Sequence, residues 1–348
     1  MNKMSQLGSS FTLKGLTLRN RIAMSPMCQY SVEAEDGAPN DWHFVHYISR
    51  AVGGAGLILV EMTDVEPDGR ISNRDLGLWS DEQIPAYRRI VDEVHKHGAK
   101  IGIQLAHAGR KALDAEPPVG PWNEPFDDKA KQPRALTTEE AWAMVGKFAD
   151  AAARAVKAGF DTIQLHGAHG NLIHQFHSPG INKRDDEFGR DKAKFGVEVI
   201  KAVKAVLPPG MPLLMRVSAI EYAEYAYGLD HMLEIARGYL DAGVDMFDVS
   251  TGGEGGPAVK GKPGNYPGYQ VPFARALKDA LGVPVSAVGM LDDAELAEHV
   301  VASGDADLAM IGRAMLRNPY WAIDALRRLD GKTDLVATAY ERGYPGQR

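Results

Sequence analysis

The run Thr162-Ile-Gln-Leu-His166-Gly-Ala-His169-Gly-Asn171 sets two histidines, separated by two small residues, where a short apolar run of β type stops. Alternation along a strand points Gln164 and His166 to one side, and a tight glycine-containing turn brings His169 round beside His166. Two imidazoles converging at a strand end mark a reaction centre or a metal site. Position 171 holds an amide, which has no proton to give at neutral pH.

Other chemistry-bearing residues also follow short apolar runs. Ser25-Pro26-Met27-Cys28-Gln29-Tyr30 follows the first, and Gln104 with His107 ends the third. Met215-Arg216-Val217-Ser218 puts a permanent cation at the end of the fifth, and a buried guanidinium needs an anion or strong acceptor opposite it. The last two runs lead into Gly289 and into Gly312-Arg313, where bare backbone N–H groups and an arginine suit a phosphate. The set reads as a phosphorylated cofactor lying below two histidines. Taken singly, Arg216 and Arg313 can pair with carboxylates, and Cys28 reads equally as a small buried hydrophobe or a functional thiol. The isolated His43, His46, His95, His97, His174, His177, His231 and His299 read as solvated or hydrogen-bonded structural residues.

The elements that must position these groups recur along the chain. β-type runs occupy Arg21–Ser25, Leu57–Val60, Lys100–Leu105, Thr162–Leu165, Leu213–Val217, Met246–Ser250, Val285–Val288 and Leu308–Ile311. Helical patterns lie between them. The clearest, Thr138 to Lys157, carries Ala141, Met144, Val145, Phe148, Ala149 and Ala152 on one stripe, behind a capping box of Thr137 and Glu140. Glycines after the helical runs, at 98, 159, 243, 282 and 304, mark their ends. Alternating strands and helices with near-continuous apolar strands predict one (β/α)8 TIM barrel over residues 1–348, with a tail from about 330. Its reactive face lies at the C-terminal strand ends. The long loops 111–133, 171–190 and 251–270 sit there as candidate lids and substrate walls.

Composition narrows the function. With 348 residues, 45% apolar and 24% charged, the chain is that of a globular enzyme. A net charge of -7 without a basic patch opposes nucleic-acid binding. The first residues lack the apolar core of a secretory signal and no apolar run is long enough to span a bilayer, so a cytoplasmic protein without a membrane partner is expected. The single cysteine, Cys28, cannot form an intrachain disulfide, a thiolate zinc site or a cysteine-ligated cluster. Two near-motifs fail. Gly256 to Pro263 resembles a P-loop, but Pro263 replaces the magnesium-binding hydroxyl; Gly53-Gly54-Ala55-Gly56 precedes a strand instead of following one.

Nearly the whole chain resembles the Old Yellow Enzyme family of FMN-dependent ene-reductases, in its bacterial class with a cysteine beside the flavin. The resemblance rests on Ser25-Pro26-Met27-Cys28-Gln29-Tyr30, Gln104-Leu-Ala-His107-Ala-Gly-Arg110-Lys111, His166-Gly-Ala-His169-Gly, and Ser178-Pro179 with Asn182-Lys-Arg184-Asp185-Asp-Glu187-Phe-Gly189. Gly312-Arg313 and the tail Tyr340-Glu-Arg342-Gly-Tyr344 complete it.

The resemblance implies that Ser25, Pro26, Met27, Cys28, Met62, Gln104, Arg216, Gly312 and Arg313 hold FMN, with Gly289 at the phosphate corner. It assigns Arg216 to the electron-rich edge of the flavin ring, Cys28 to tuning the flavin and Tyr30 to facing the substrate. Arg342 would reach a neighbouring subunit's site, which implies a homodimer or homotetramer. The implied reaction is ping-pong, with NADPH or NADH as reductant and small α,β-unsaturated carbonyl or nitro compounds as substrates. His166 and His169 would hold the substrate oxygen as charge develops on it. Most relatives have a tyrosine proton donor at the position of Asn171, a substrate-site residue here. Protonation of the α-carbon is then slow, or passes through water or Tyr30. The alternatives are dehydrogenation of saturated ketones, ligand binding with weak turnover, or a metal-dependent hydrolase using His166, His169 and His174 or His177. The last lacks an HExxH motif and a carboxylate ligand. A dienoyl-CoA reductase would need a cysteine-ligated cluster.

Overall fold

The computed structural model describes residues 5–223, 226–253, 265–331 and 333–346. Its eight barrel strands are β1 (Ile22–Met24), β2 (Leu57–Asp64), β3 (Lys100–Ala106), β4 (Thr162–Gly167), β5 (Leu213–Ser218), β6 (Met246–Ser250), β7 (Val285–Ala287) and β8 (Leu308–Ile311). They are buried almost throughout because helices cover them outside and their own side chains fill the inside. Each pairs in parallel with the next, and β8 pairs with β1 to close the (β/α)8 barrel. The runs read from sequence coincide with these strands to within a few residues.

Helices α1 (Asp41–Val52), α2 (Ile84–Lys96), α3 (Thr138–Ala158), α4 (Lys194–Val206), α5 (Leu229–Ala242), α6 (Val271–Leu281), α7 (Ala294–Ala302) and α8 (Trp321–Asp330) surround the strands. The capping box of α3 forms: Glu140 N donates to Thr137 Oγ1 at 3.1 Å and Thr137 N to Glu140 Oε2 at 2.8 Å. Its apolar stripe is buried except Ala149, which is half-buried. No helix among the described residues is long and apolar enough to cross a membrane.

Three features depart from the sequence reading. A hairpin of Phe11–Leu13 with Leu16–Leu18 packs Leu16 and Leu18 against Leu57, Leu214, Met246 and Leu308, plugging the barrel end opposite the reactive face. Strand β2 runs on to Asp64 through a bulge, since Val60 pairs with Ile103 and Met62 with the next residue, Gln104. The stretch 171–190 is not an open lid. Leu172–His177 forms a short, fully buried helix, and Phe176 stacks on Phe195 of α4 with ring centroids 3.9 Å apart. The apolar Leu172, Ile173 and Phe176 recur at helical spacing, and burying them outweighs the polar residues between. The P-loop-like segment 256–263 lies outside the described residues.

Candidate active site

The barrel interior below the reactive face carries one polar layer. Gln104 Nε2 donates to Gln164 Oε1 at 2.7 Å, and Gln164 Nε2 to Asp248 Oδ2 at 3.2 Å. Ser286 Oγ donates to Asp248 Oδ1 at 3.1 Å. Strand register sets Arg216 beside both His166 and Asp248, and Arg216 Nε lies 3.3 Å from Asp248 Oδ2. Asp248 is therefore the anion beside the buried Arg216, a charge pair without a hydrogen bond at Nε. Such a pair contributes orientation more than net stability. On its far side Arg216 Nη1 reaches Ser25 Oγ at 3.4 Å.

His166 is the penultimate residue of β4 and His169 follows on the turn. Their ring centroids are 5.2 Å apart, with the ring planes at 88°. His169 adopts φ +56°, an uncommon left-handed conformation for a non-glycine residue. Three contacts enforce it. Lys111 Nζ donates to His169 O at 2.7 Å, His169 N donates to Ser218 Oγ at 3.1 Å, and Gly253 packs so closely that a Cβ there would stand 2.4 Å from His169 Cα. Behind the turn, Gly170 N donates to His174 Nδ1 at 3.1 Å, and His174 Nε2 meets Glu221 Oε1 at 2.8 Å. His174 is thus a hydrogen-bonded structural residue, as is His177 between Tyr239 and Tyr227.

Burial, then the nearby Arg216 charge, holds both His166 and His169 well below the ordinary histidine range. Both rings are neutral at pH 7, so each offers one N–H and neither serves as a strong acid. His169 Nε2 lies 2.7 Å from Ser250 Oγ. His166 Nε2 lies 3.0 Å from Asn171 Nδ2, and its Nδ1 receives Ala168 N at 3.3 Å. Asn171 Oδ1 is buried without a hydrogen-bond partner. Among the described residues no three of His, Cys, Asp and Glu come together as metal ligands.

These groups line one cleft of about 370 Å³. It gathers Ser25, Pro26, Met27, Cys28, Met62, Gln104, His166, His169, Asn171, Arg216, Gly289, Gly312 and Arg313, residues that sequence reading had singled out. Two others fall outside it. Tyr30 is half exposed and its hydroxyl engages the Cys28 thiol; Arg342 sits in the exposed turn Thr338–Gly343. Cys28 is itself pushed up by burial and by nearby Asp75, Glu61 and Asp64, so its thiol stays protonated.

Lys111, Thr251, Tyr269 and Gln270 line the cleft from the loops 111–133 and 251–270 read as candidate walls, though no one of them stands out individually in the sequence, and Ser250 and Asp292 were missed. Ser250 ends β6 and Lys111 closes a quoted motif, so position along the barrel was the available signal. Gln270 offers no such signal: it returns from the loop to receive Thr251 N at 2.8 Å and to donate to Val288 O at 3.0 Å.

The cleft fits a flat ring with a phosphate tail. At Gly312 an added Cβ would meet only Met27 Sδ at 3.6 Å and Ser25 Cβ at 4.0 Å, so the bare backbone faces open space next to Arg313. Arg216, charge-paired with Asp248, also lines the cleft. Residues 7–330 match the model of the NADH:flavin oxidoreductase / NADH oxidase family. The chain belongs to that family, the Old Yellow Enzyme family. FMN is its cofactor and NAD(P)H its reductant, and the protein is an NAD(P)H-dependent FMN oxidoreductase.

The relatives agree. An NADPH dehydrogenase of Listeria monocytogenes is 48% identical over 98% of this chain and 100% of its own. One from a Geobacillus species is 43% identical over 98% of this chain and 99% of its own. Among solved structures, morphinone reductase superposes with a TM-score of 0.79 at 26% identity, covering 94% of this chain and 90% of its own.

The motif Asn182 to Gly189 plays a structural part. Asn182 Nδ2 donates to Phe176 O at 2.7 Å and Phe188 O at 2.8 Å, and Arg184 pairs with Asp186. It braces the helix that follows Asn171.

Proposed function

We propose that this oxidoreductase reduces the activated C=C bond of α,β-unsaturated carbonyl or nitro compounds in a ping-pong cycle. The observation that carries this reading is the His166–His169 pair, two neutral imidazoles at right angles in the cleft whose anchored cation is Arg216. Ser25 to Cys28, Met62, Gln104 and Arg216 hold the flavin ring, and Gly289, Gly312 and Arg313 its phosphate. FMN, when bound, supplies the hydride chemistry, accepting from NADPH or NADH and giving to the substrate's β-carbon.

The chain's own residues do the rest. His166 and His169 hydrogen-bond the substrate oxygen and stabilise the enolate charge that builds there. Their neutrality matters, since a neutral donor lowers the barrier without trapping a charged product. Lys111 and Ser218 keep His169 in its strained turn, which fixes the donor before substrate arrives. Asn171 holds His166 and leaves the α-carbon proton to water or to Tyr30, which would have to turn inward from Cys28. Arg342 completes a neighbouring subunit's site in a cytoplasmic homodimer or homotetramer.

Steady-state oxidation of NADPH with cyclohexenone tests the reading. Stoichiometric cyclohexanone is the expected product. NADPH oxidation that proceeds with oxygen but never with enones or nitroalkenes would contradict it.

A further inference from the structure

Glu61 is a buried carboxyl for which the reaction above has no use. As the extra residue of the β2 bulge it falls out of register between Val60 and Met62. Met62 lines the cleft while Glu61, 1% exposed, turns to α1 and to the segment after β1. Its Oε1 accepts from Gln29 N at 2.9 Å and its Oε2 from Tyr47 Oη at 2.6 Å. Gln29 sits between Cys28, a wall of the cleft, and Tyr30, held at φ +50°. The turn is closed on itself by Gln29 Nε2 donating to Met27 O at 2.8 Å and Ser31 Oγ to Gln29 O at 2.9 Å. The Glu61 carboxylate ties that turn to β2.

Among the described residues no cation faces Glu61. From α1, His43 Nε2 stands 3.8 Å from Oε1 without a hydrogen-bond partner, and burial keeps His43 at about 4 and His46 at about 3. Tyr47, Tyr87 on α2, Cys28 in the wall and Tyr30 beyond it are all raised, so they stay uncharged. Asp64 and Asp75 complete the surroundings, both raised by burial, Asp75 to about 6. Burial, opposed by the two hydrogen bonds and assisted by Asp75, moves Glu61 up to about 7.

A carboxylate accepts strongly at both oxygens, because hydrogen bonds to a charged acceptor are about twice as strong as neutral ones. The neutral acid must place a proton on one oxygen and weakens its hold on Gln29 N or Tyr47 Oη. We propose that Glu61 positions the Met27–Cys28 wall of the cleft through the adjoining Gln29 amide, and that its proton is linked to charge in the cleft. By reciprocity, negative charge in the cleft strengthens proton binding at Glu61, and loss of that proton stiffens the wall. The proposal takes from the preceding section only that this wall faces FMN.

The test compares the full-length protein with E61Q, which keeps shape and removes the titration. Cys28 is the sole cysteine, so its alkylation by iodoacetamide from pH 6 to 9 reports on the wall without FMN. Wild type should show a break near pH 7 on the rising thiolate slope, and E61Q should show none and react several-fold faster at pH 8. The visible spectrum of the FMN-loaded protein should titrate over the same range in wild type and stay flat in E61Q. Tyr47→Phe, which removes one donor to the carboxylate, should move the break to higher pH, a shift that a merely structural role does not give.

An unchanged break in E61Q, or its absence from wild type, overturns the proposal. If E61Q fails to fold, a break that Tyr47→Phe leaves in place overturns it. Failure of wild type to take up FMN would instead sink the functional reading, while the alkylation profile still decides the role of Glu61.

Discussion

Asn171 Nδ2 lies 3.0 Å from His166 Nε2, so the amide at this position acts on the first histidine of the pair. Ala168 N also donates toward that ring, at Nδ1 and 3.3 Å. A neutral imidazole can accept at only one nitrogen, so the Asn171 amide and the Ala168 N–H between them set the tautomer of this ring. Asn171 therefore bears on the ring's orientation and tautomer and gives no proton itself.

His166→Ala and His169→Ala should each lower the rate of flavin reoxidation by an enone about 10² to 10³-fold, the usual effect of deleting one such donor. Flavin reduction by NADPH should change far less. Rapid-mixing measurement of the two half-reactions separates these outcomes.

Asn171→Tyr adds a hydroxyl able to protonate the α-carbon. General acids contribute typically 10² to 10⁴-fold where proton transfer limits the rate. Reoxidation by enones should speed up, with a smaller solvent isotope effect than wild type. Equal rates and isotope effects for several enones would show that protonation is not limiting.

Arg313→Ala should weaken FMN binding by about 10 to 100-fold, the loss of one charge-assisted hydrogen bond to phosphate of about 1.5–3 kcal/mol. Riboflavin, without the phosphate, should bind both proteins alike. Fluorescence titration of the FMN-free protein measures both.

Asp64 is fully buried and neither carboxyl oxygen has a hydrogen-bond partner, so burial holds it well above the usual carboxylate range. Its folded value exceeds its unfolded one. The associated stability is present at low pH and is lost as pH rises from the unfolded value through the folded one. Asp64→Asn removes this dependence. Its stability relative to wild type should grow by about 1.4 kcal/mol per pH unit above pH 5 until Asp64 itself ionises, read from denaturant melts at pH 5 to 8. A difference independent of pH would show that Asp64 is ionised in the folded protein.

The barrel was legible because each strand is a short apolar run between helices closed by glycine, and burial on both faces demands that pattern. The cleft was legible for a related reason: its residues sit just past strand ends, where the fold puts them at the reactive face. Glu61 escaped notice because its charge interrupts the apolar run, and only pairing with β3 reveals a bulge. Gln270 and Asp248 became site residues through long-range packing that no local pattern encodes. Leu172–His177 was masked by flanking polar residues, although its apolar spacing was helical.

The most direct measurement mixes the photoreduced, FMN-loaded protein with cyclohexenone under anaerobic conditions and follows the flavin absorbance. The account predicts full reoxidation with cyclohexanone formed in equal amount, slowed at least a hundredfold in His169→Ala. A flavin that remains reduced, or reoxidation at the same rate in His169→Ala, would contradict it.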